Sequence, residues 1–368
     1  MKKTFIQFTK LLTLFGLLLN AGCGDESENP DPVENGNDNP NITENSGDPW
    51  TPDNEWESAF EFEGDFIAKA LFVNPNNGDV MAGTLKLNKE TADGVYLTKD
   101  DGDNWSKSNS GLSGPALNVN SFVNIGTKIY IGTGTASASG SGGGVFVSEN
   151  NGASWTEFNS GLSQDAANKV DLVFKKGNTL FMTSGSSDIS SRGIYRFQDG
   201  KWEHKIEGIP ATNARDINDA IAAGNRIVIA TSDGIYYSDN NGDSWNLSKE
   251  GLIDGSSYFS VTFNGEYLFT SSAQGYGNYR AKPAEMKWSQ KNSGLSNGDD
   301  KRALDLLSDG RIVIAATNSK IFISEDDGDN WKRFDNGLGS SSFRSAAVKN
   351  NTLFAGSADG KIWKLSRE

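Results

Sequence analysis

From Trp56 onward the chain is written in short apolar runs separated by turn residues, and the same order of runs returns many times. A first run leads into a turn such as Asn225-Arg226 or Ser308-Asp309-Gly310. A second ends on a small pair, as in Tyr130-Ile131-Gly132-Thr133, Ile227-Val228-Ile229-Ala230-Thr231 or Leu353-Phe354-Ala355-Gly356. A third follows, like Gly94-Val95-Tyr96-Leu97-Thr98 or Gly234-Ile235-Tyr236-Tyr237-Ser238. Next come a polar turn phrase, a tryptophan and a fourth run, which ends in Asn-Ser-Gly-Leu at 109–112, 159–162 and 292–295. Runs of this length bounded by Gly, Asn, Asp and Ser predict strands, four to each repeat.

The turn phrase sets the period. Thr98-Lys99-Asp100-Asp101-Gly102-Asp103-Asn104-Trp105 is restated at 148–155, 238–245 and 324–331 as Ser/Thr, any residue, Asp/Asn, Asp/Asn, Gly, any residue, Ser/Asn, Trp. Tryptophans fall at 56, 105, 155, 202, 245, 288 and 331, with spacings of 49, 50, 47, 43, 43 and 43 residues. A four-stranded repeat of that length is the size of a propeller blade. The last repeat stops at Lys361-Ile362-Trp363-Lys364 without a turn phrase, while Glu55-Trp56-Glu57 stands unpaired ahead of the first repeat. Joining the two gives a single all-β domain, a seven-bladed β-propeller over residues 51–368, closed by pairing of its N- and C-terminal strands and left without an open edge.

Within the phrase, Asp or Asn can accept bonds from nearby N–H groups and Gly can take positive φ, while Trp brings a large apolar face. The residues concerned are Asp100, Gly102 and Trp105; Asn150, Gly152 and Trp155; Asn240, Gly242 and Trp245; Asp326, Gly328 and Trp331. Acid-rich copies invite a calcium reading. Against it, the phrases lack a distal acidic ligand and two of them use Asn, so they read as structural turns and not as a metal site. At 196–202 and 280–288 the tryptophan stays and the phrase is lost.

Charge changes the picture at the N-terminus. The chain carries 48 acidic and 34 basic residues, and fourteen of the acids lie between Cys23 and Asp65, where Lys and Arg are absent. The remainder is balanced, which argues against nucleic acid as a partner. Met1-Lys2-Lys3 precedes the nine-residue apolar stretch Leu11–Leu19, too short to span a bilayer and suited to an export signal. Residues 1–22 then form a signal peptide and 23–50 an acidic tether poor in large apolar side chains. The single cysteine, Cys23, excludes an intramolecular disulfide, and the single histidine, His204, excludes a His cluster.

Asn20-Ala21-Gly22-Cys23 resembles the lipobox of bacterial lipoproteins, and Gly24–Glu28 is similar to the acidic export tags of surface lipoproteins in the Bacteroidota. The resemblance implies lipidation of Cys23 and an exported protein on the outer membrane, touching the membrane through its anchor alone. The phrases at 98–105, 148–155, 238–245 and 324–331 resemble those of the Asp-box (BNR repeat) propellers, which include sialidases, xyloglucanases, sortilin and photosystem II assembly factors. That likeness implies a ligand face opposite the phrases. A sialidase would carry an Arg-Ile-Pro phrase and an early arginine; here the nearest string is Gly208-Ile209-Pro210 and no arginine precedes Arg192. Long second-to-third strand loops at 85–94, 135–144, 184–193 and 271–278 mark that opposite face. Aligning the first strands by their small-pair endings sets Lys69, Lys169 and Arg302 at one level there, as candidate ligand contacts. The expectation is a monomeric, cofactor-free propeller that binds a protein or glycan at the cell envelope. A carbohydrate-active hydrolase is the alternative, to be marked by two convergent carboxylates in a pocket on that face.

Overall fold

Seven four-stranded antiparallel sheets surround one axis in the computed structural model, which describes residues 50–86, 91–135, 143–212, 215–318, 320–339 and 342–367. Cys23, the export segment, the tether through residue 49 and the loop residues 87–90 and 136–142 lie outside the described residues. Strands are numbered β1–β28 in chain order. The innermost strand of each blade is β2 (Ile67–Val73), β6 (Val119–Ile125), β10 (Val170–Lys176), β14 (Ile217–Ala223), β18 (Tyr258–Phe263), β22 (Ala303–Asp309) and β26 (Phe343–Lys349). Blade 7 is completed by β27 (Thr352–Ser357), β28 (Lys361–Ser366) and, from the other end of the chain, β1 (Glu57–Glu61). Glu57 pairs with Lys364 and Glu61 with Lys361, so the two ends share a sheet as the repeat count required.

Each sheet buries both faces, because the next blade stacks on it. The core is accordingly divided into inter-blade layers such as Phe72, Met81, Phe122, Ile129 and Trp155, or Val228, Ile235, Tyr258, Leu268 and Trp288. The phrase tryptophans fasten the outer ends of these layers. The backbone N–H of Trp155, Trp202, Trp245, Trp288, Trp331 and Trp56 donates to a carbonyl of the preceding blade, that of Ser110, Ser160, Glu207, Glu250, Ser293 and Asn336. Five indole N–H groups, those of Trp155, Trp202, Trp245, Trp331 and Trp56, reach back to the same blade, to the carbonyls of Ser108, Phe158, Lys205, Lys291 and Phe334. Trp105 differs. Its indole bonds Gly102 of its own turn, and it faces Phe60 of the closing strand.

The Asn-Ser-Gly-Leu phrase belongs to the same fastening. Asn109 Oδ1 accepts from Val95 N–H, the Ser110 carbonyl takes Trp155 N–H, and Gly111 lets the chain approach. A Cβ at Gly111 would stand 2.0 Å from the Trp155 carbonyl oxygen, and one at Gly294 equally close to that of Trp331. Both glycines have φ of +90°. The fourth strands of blades 1 to 6 are only two to four residues long, because this loop and not a longer ladder carries the attachment.

In the four phrase turns the leading hydroxyl accepts the glycine N–H and donates to the Asp or Asn. That residue then accepts the N–H four positions on, as in Ser324–Asp326–Gly328–Asn330 at 2.8 Å throughout. The carboxylate oxygens are thus spent inside the turn. Turns and inner-strand hairpins lie at one end of the blades: Asn264 Nδ2 donates to Asp327, and Asn74 Nδ2 to Asn151. The chain also enters at this end, where Trp50, 2 % exposed, covers the buried Arg367–Asp309 pair.

Gly294→Ala should lower the unfolding free energy by about 3 kcal/mol, since it adds both a backbone clash and a strained φ. Gly339→Ala, whose Cβ meets nothing within 4 Å, should change it little. Denaturant unfolding of the two variants checks this.

Candidate functional site

The opposite end of the axis is shaped by a bulge that recurs in every innermost strand. Pairing with the second strand slips by one residue in each blade, between Ala68 and Ala70, Val119 and Ser121, Val170 and Leu172, Ile217 and Asp219, Tyr258 and Val261, Ala303 and Asp305, and Phe343 and Ser345. The extra residue leaves the ladder and re-aims its side chain. Lys69, Asn120, Asp171, Asn218, Phe259, Leu304 and Arg344 therefore ring the channel mouth, lining a cavity of about 170 Å³. Round the ring they make three arcs: cationic on blades 7 and 1, polar on blades 2 to 4, apolar on blades 5 and 6.

Most of the polar members are committed to the seams. Asn120 Nδ2 donates to the Gly134 and Val170 carbonyls, and Asn218 Nδ2 to that of Tyr258. Asp171 pairs with Lys169 at 3.1 Å. The two cations are not committed. Lys69 and Arg344 make no hydrogen bond or ion pair among the described residues, and Arg344 Nε is buried without a partner. Burial pushes the Arg344 guanidinium below its ordinary value. A half-buried guanidinium whose Nε lacks an acceptor favours an anion in front of it.

One residue further along, the side chains reach across to the next blade. Ser121 Oγ accepts from Val173 N–H and Ser260 Oγ from Leu306 N–H, while Ser345 donates to the Ala68 carbonyl. Blades 4 and 6 have aspartates in this role. Asp219 accepts from Val261 N–H at 2.9 Å and from the Ser260 hydroxyl at 2.6 Å; Asp305 accepts from Ala346 N–H at 3.0 Å. Both carboxyls also line a second cavity of about 150 Å³ directly beneath, walled by Phe122, Val173, Phe174, Ile221, Val261 and Leu307. Burial pushes Asp219 up to about 6. It pushes Asp305, with the nearby Asp219 charge adding to the effect, up to about 7.

The residues singled out from sequence are dispersed. Lys69 stands in the ring, but Lys169 and Arg302 precede their bulges by two residues, so the three do not share one level. Lys169 reaches the ring only through Asp171; Arg302 follows the Asp299 turn outside it. The true counterparts of Lys69 include Asp171, Leu304 and Arg344. Asp171, Asp219, Asp305 and Arg344 were passed over, although each is a charge inside an otherwise apolar first run. His204 stacks on Tyr195 and bonds the Arg192 carbonyl, a packing role. Asp100, Asn150, Asn240, Asp326 and their Gly and Trp partners lie at the far end.

With Asp305 raised, the folded chain holds more protons than the unfolded one between the ordinary 3.8 and about 7, so its contribution to stability falls as pH rises through that window. Thermal scans should show wild type gaining on Asp305→Asn as pH drops from 8 to 5. Parallel curves would refute a raised Asp305.

No protein-family model and no curated protein matches the chain. Among solved structures it is similar to YCF48 bound to D1 peptide, at 17% identity and a TM-score of 0.62 over 86% of this chain and 98% of that one. It is also similar to the extracellular domain of a putative one-component system from B. thetaiotaomicron, at 14% identity and a TM-score of 0.64, over 85% of this chain and 40% of that one. A third is the GH74 xyloglucanase from Xanthomonas campestris, at 16% identity and a TM-score of 0.58, over 84% of this chain and 53% of that one. At these identities the likeness is one of fold: the chain is a seven-bladed β-propeller.

Proposed function

We propose that the protein is an exported, non-catalytic recognition module that takes up a protein segment at the channel mouth, on the face opposite the repeated turns. The observation that carries this is the pair of uncommitted cations, Lys69 and Arg344, beside an apolar arc of Phe259 and Leu304. Such a surface recognises an acidic or carboxylate-ended peptide with apolar neighbours, by charge at the mouth and burial alongside it. YCF48, of the same fold, is known with a bound peptide. Export and a lipid anchor at Cys23 are part of the proposal, supported by the sequence of residues 1–23. Among the described residues no helix is long and apolar enough to cross a membrane.

The hydrolase reading has one observation in its favour, the carboxylate pair Asp219 and Asp305 in a cavity on the expected face. Against it, each of the two carboxylates already holds a backbone N–H of the following blade, as Ser121 and Ser260 do at equivalent positions. Asp219 moreover accepts three donors already.

Two experiments test the proposal. A random peptide display library panned on the full-length protein should enrich acidic sequences, and Lys69→Ala with Arg344→Ala should lower their affinity by at least about tenfold, roughly 1.4 kcal/mol. Equal binding by the double variant would overturn the site, and sugar release from sialosides or β-glucans at enzyme-like rates would overturn the non-catalytic reading. Separately, Cys23→Ser should move the protein from the membrane to the soluble fraction; unchanged fractionation refutes lipidation.

A further inference from the structure

The two cations line the mouth chamber, and the two seam carboxylates line it together with a second cavity that shares its wall. Asp219 and Asp305 line both the mouth chamber, about 170 Å³, and the chamber beneath it, about 150 Å³. The charged groups facing Asp305 can be taken element by element. Lys69 comes from β2, Asp171 with its partner Lys169 from β10, Asp219 from β14 and Arg344 from β26. Lys175 lines the lower chamber from the end of β10. β6 and β18 contribute the neutral Asn120, Ser121, Phe259 and Ser260. With Lys169 paired to Asp171, the described lining of the mouth leaves two cations, Lys69 and Arg344, facing two carboxylates, Asp219 and Asp305.

We infer that the channel mouth is a proton-coupled carboxylate site, which takes up a carboxylate flanked by an aliphatic group and binds one proton from solvent on Asp305 as it does so. The inference rests on the channel mouth being the ligand face, and adds to it the ligand group and its regulation. The ligand carboxylate would sit against Arg344 and Lys69, with its aliphatic neighbour on Phe259 and Leu304. Its charge replaces that of Asp305 as counter-charge to the cations. Asp305 then becomes a carboxylate facing a second anion in a chamber of about 170 Å³, where like charges at close range disfavour double ionisation. The proton resolves this. The ligand enters as an anion, one proton moves from solvent to the Asp305 carboxyl, and the net charge of the chamber is unchanged. Asp305 is the better acceptor of the two, since Asp219 is held ionised by the Ser260 hydroxyl and two backbone N–H groups. Its affinity for protons, already raised by burial near Asp219, sits in the range where this exchange is measurable at neutral pH.

The test is calorimetric titration of the full-length protein with N-acetyl-leucine, the minimal carboxylate with an aliphatic neighbour. Titrations at pH 7 in phosphate and in Tris, whose ionisation enthalpies differ, should give unequal heats corresponding to net proton uptake. Affinity should rise about tenfold from pH 8 to pH 6, following a single acceptor titrating near 7. Asp305→Asn imitates the protonated carboxyl and keeps an acceptor for Ala346 N–H. It should bind independently of pH, at pH 8 as tightly as wild type does at pH 6, with equal heats in the two buffers. Arg344→Gln should lose at least about tenfold in affinity at every pH. Equal heats in wild type, a flat pH profile, equal binding of N-acetyl-leucinamide, or tighter binding of N-acetylneuraminate than of N-acetyl-leucine would each overturn the inference. Acidic peptides that bind without proton uptake would sink it and leave the recognition function standing. N-acetyl-leucine bound with proton uptake, in a protein that enriches no peptide, would do the reverse.

Discussion

Everything in this molecule depends on the stacking of sheets that cannot stand alone. Each blade has two apolar faces and only four strands, so its stability comes from its neighbours on both sides, and seven such blades must close on themselves to leave no face bare. Closure is made at two radii. At the periphery, tryptophan N–H groups donate to carbonyls of the preceding blade. At the axis, Ser121, Asp219, Ser260, Asp305 and Ser345 bond the backbone of the following blade. Between these two fastenings lie the apolar layers. The terminal strands complete the ring because β1 supplies the outer edge that blade 7 lacks.

The repeated turns are more than independent fasteners, since their absence is compensated. Blades 3, 5 and 7 lack the phrase, and each sends cations into the turn of the next blade. Arg196 donates to the Asn241 carbonyl and, with Lys205, pairs with Asp243. Arg280 donates to the Asp327 carbonyl and, with Lys291, pairs with Asp329; Lys364 pairs with Asp103. The turn of blade 2, which follows a blade that has the phrase, carries Ala153 where the others have Asp. Exposed ion pairs contribute little individually. The guanidinium-to-carbonyl bonds of Arg196 and Arg280 are half-buried and hold the turn backbone itself.

How much of this was legible follows from where the residues sit relative to the bulge. The blade count, the closure and the turn phrase are properties of the repeat, and a repeat shows itself in spacing. Trp56 and Lys364 could be matched across the chain for that reason. The axis could not be read the same way. The bulge adds one residue after the start of each first strand, and the side-chain period of two reverses there. Alignment from the strand endings groups Lys69 with Lys169 and Arg302 because the first hairpin of blade 1, between Val73 and Val80, is two residues longer than those between Lys175 and Leu180 and between Ser308 and Val313; Arg344 and Asp171 occupy the equivalent places. Asn-Ser-Gly-Leu was visible as a motif, yet its meaning required the neighbouring Trp carbonyl, which only the fold brings to Gly111 and Gly294. Cys23 and the tether lie outside the described residues, and their reading rests on sequence alone.

The most informative comparison is within the axial seam. Ser121 and Ser260 accept a backbone N–H with a neutral hydroxyl, and no ionisable group has to be desolvated to do it. Asp219 and Asp305 make the equivalent bond at the expense of burying carboxyls beside each other, each pushed well above the ordinary carboxylate range. A seam alone would be served as well by serine at all these positions. Positions where a fold keeps a costlier residue than its own repeat requires are where function is to be sought. Here both lie beneath the one pair of cations, among the described residues of the mouth, that the fold leaves unpartnered. Costly anions and unpaired cations share a chamber too small for a second protein domain but open to a side chain or chain end. That coincidence, more than the propeller itself, is why the ligand should be sought at the channel mouth and not along the rim loops.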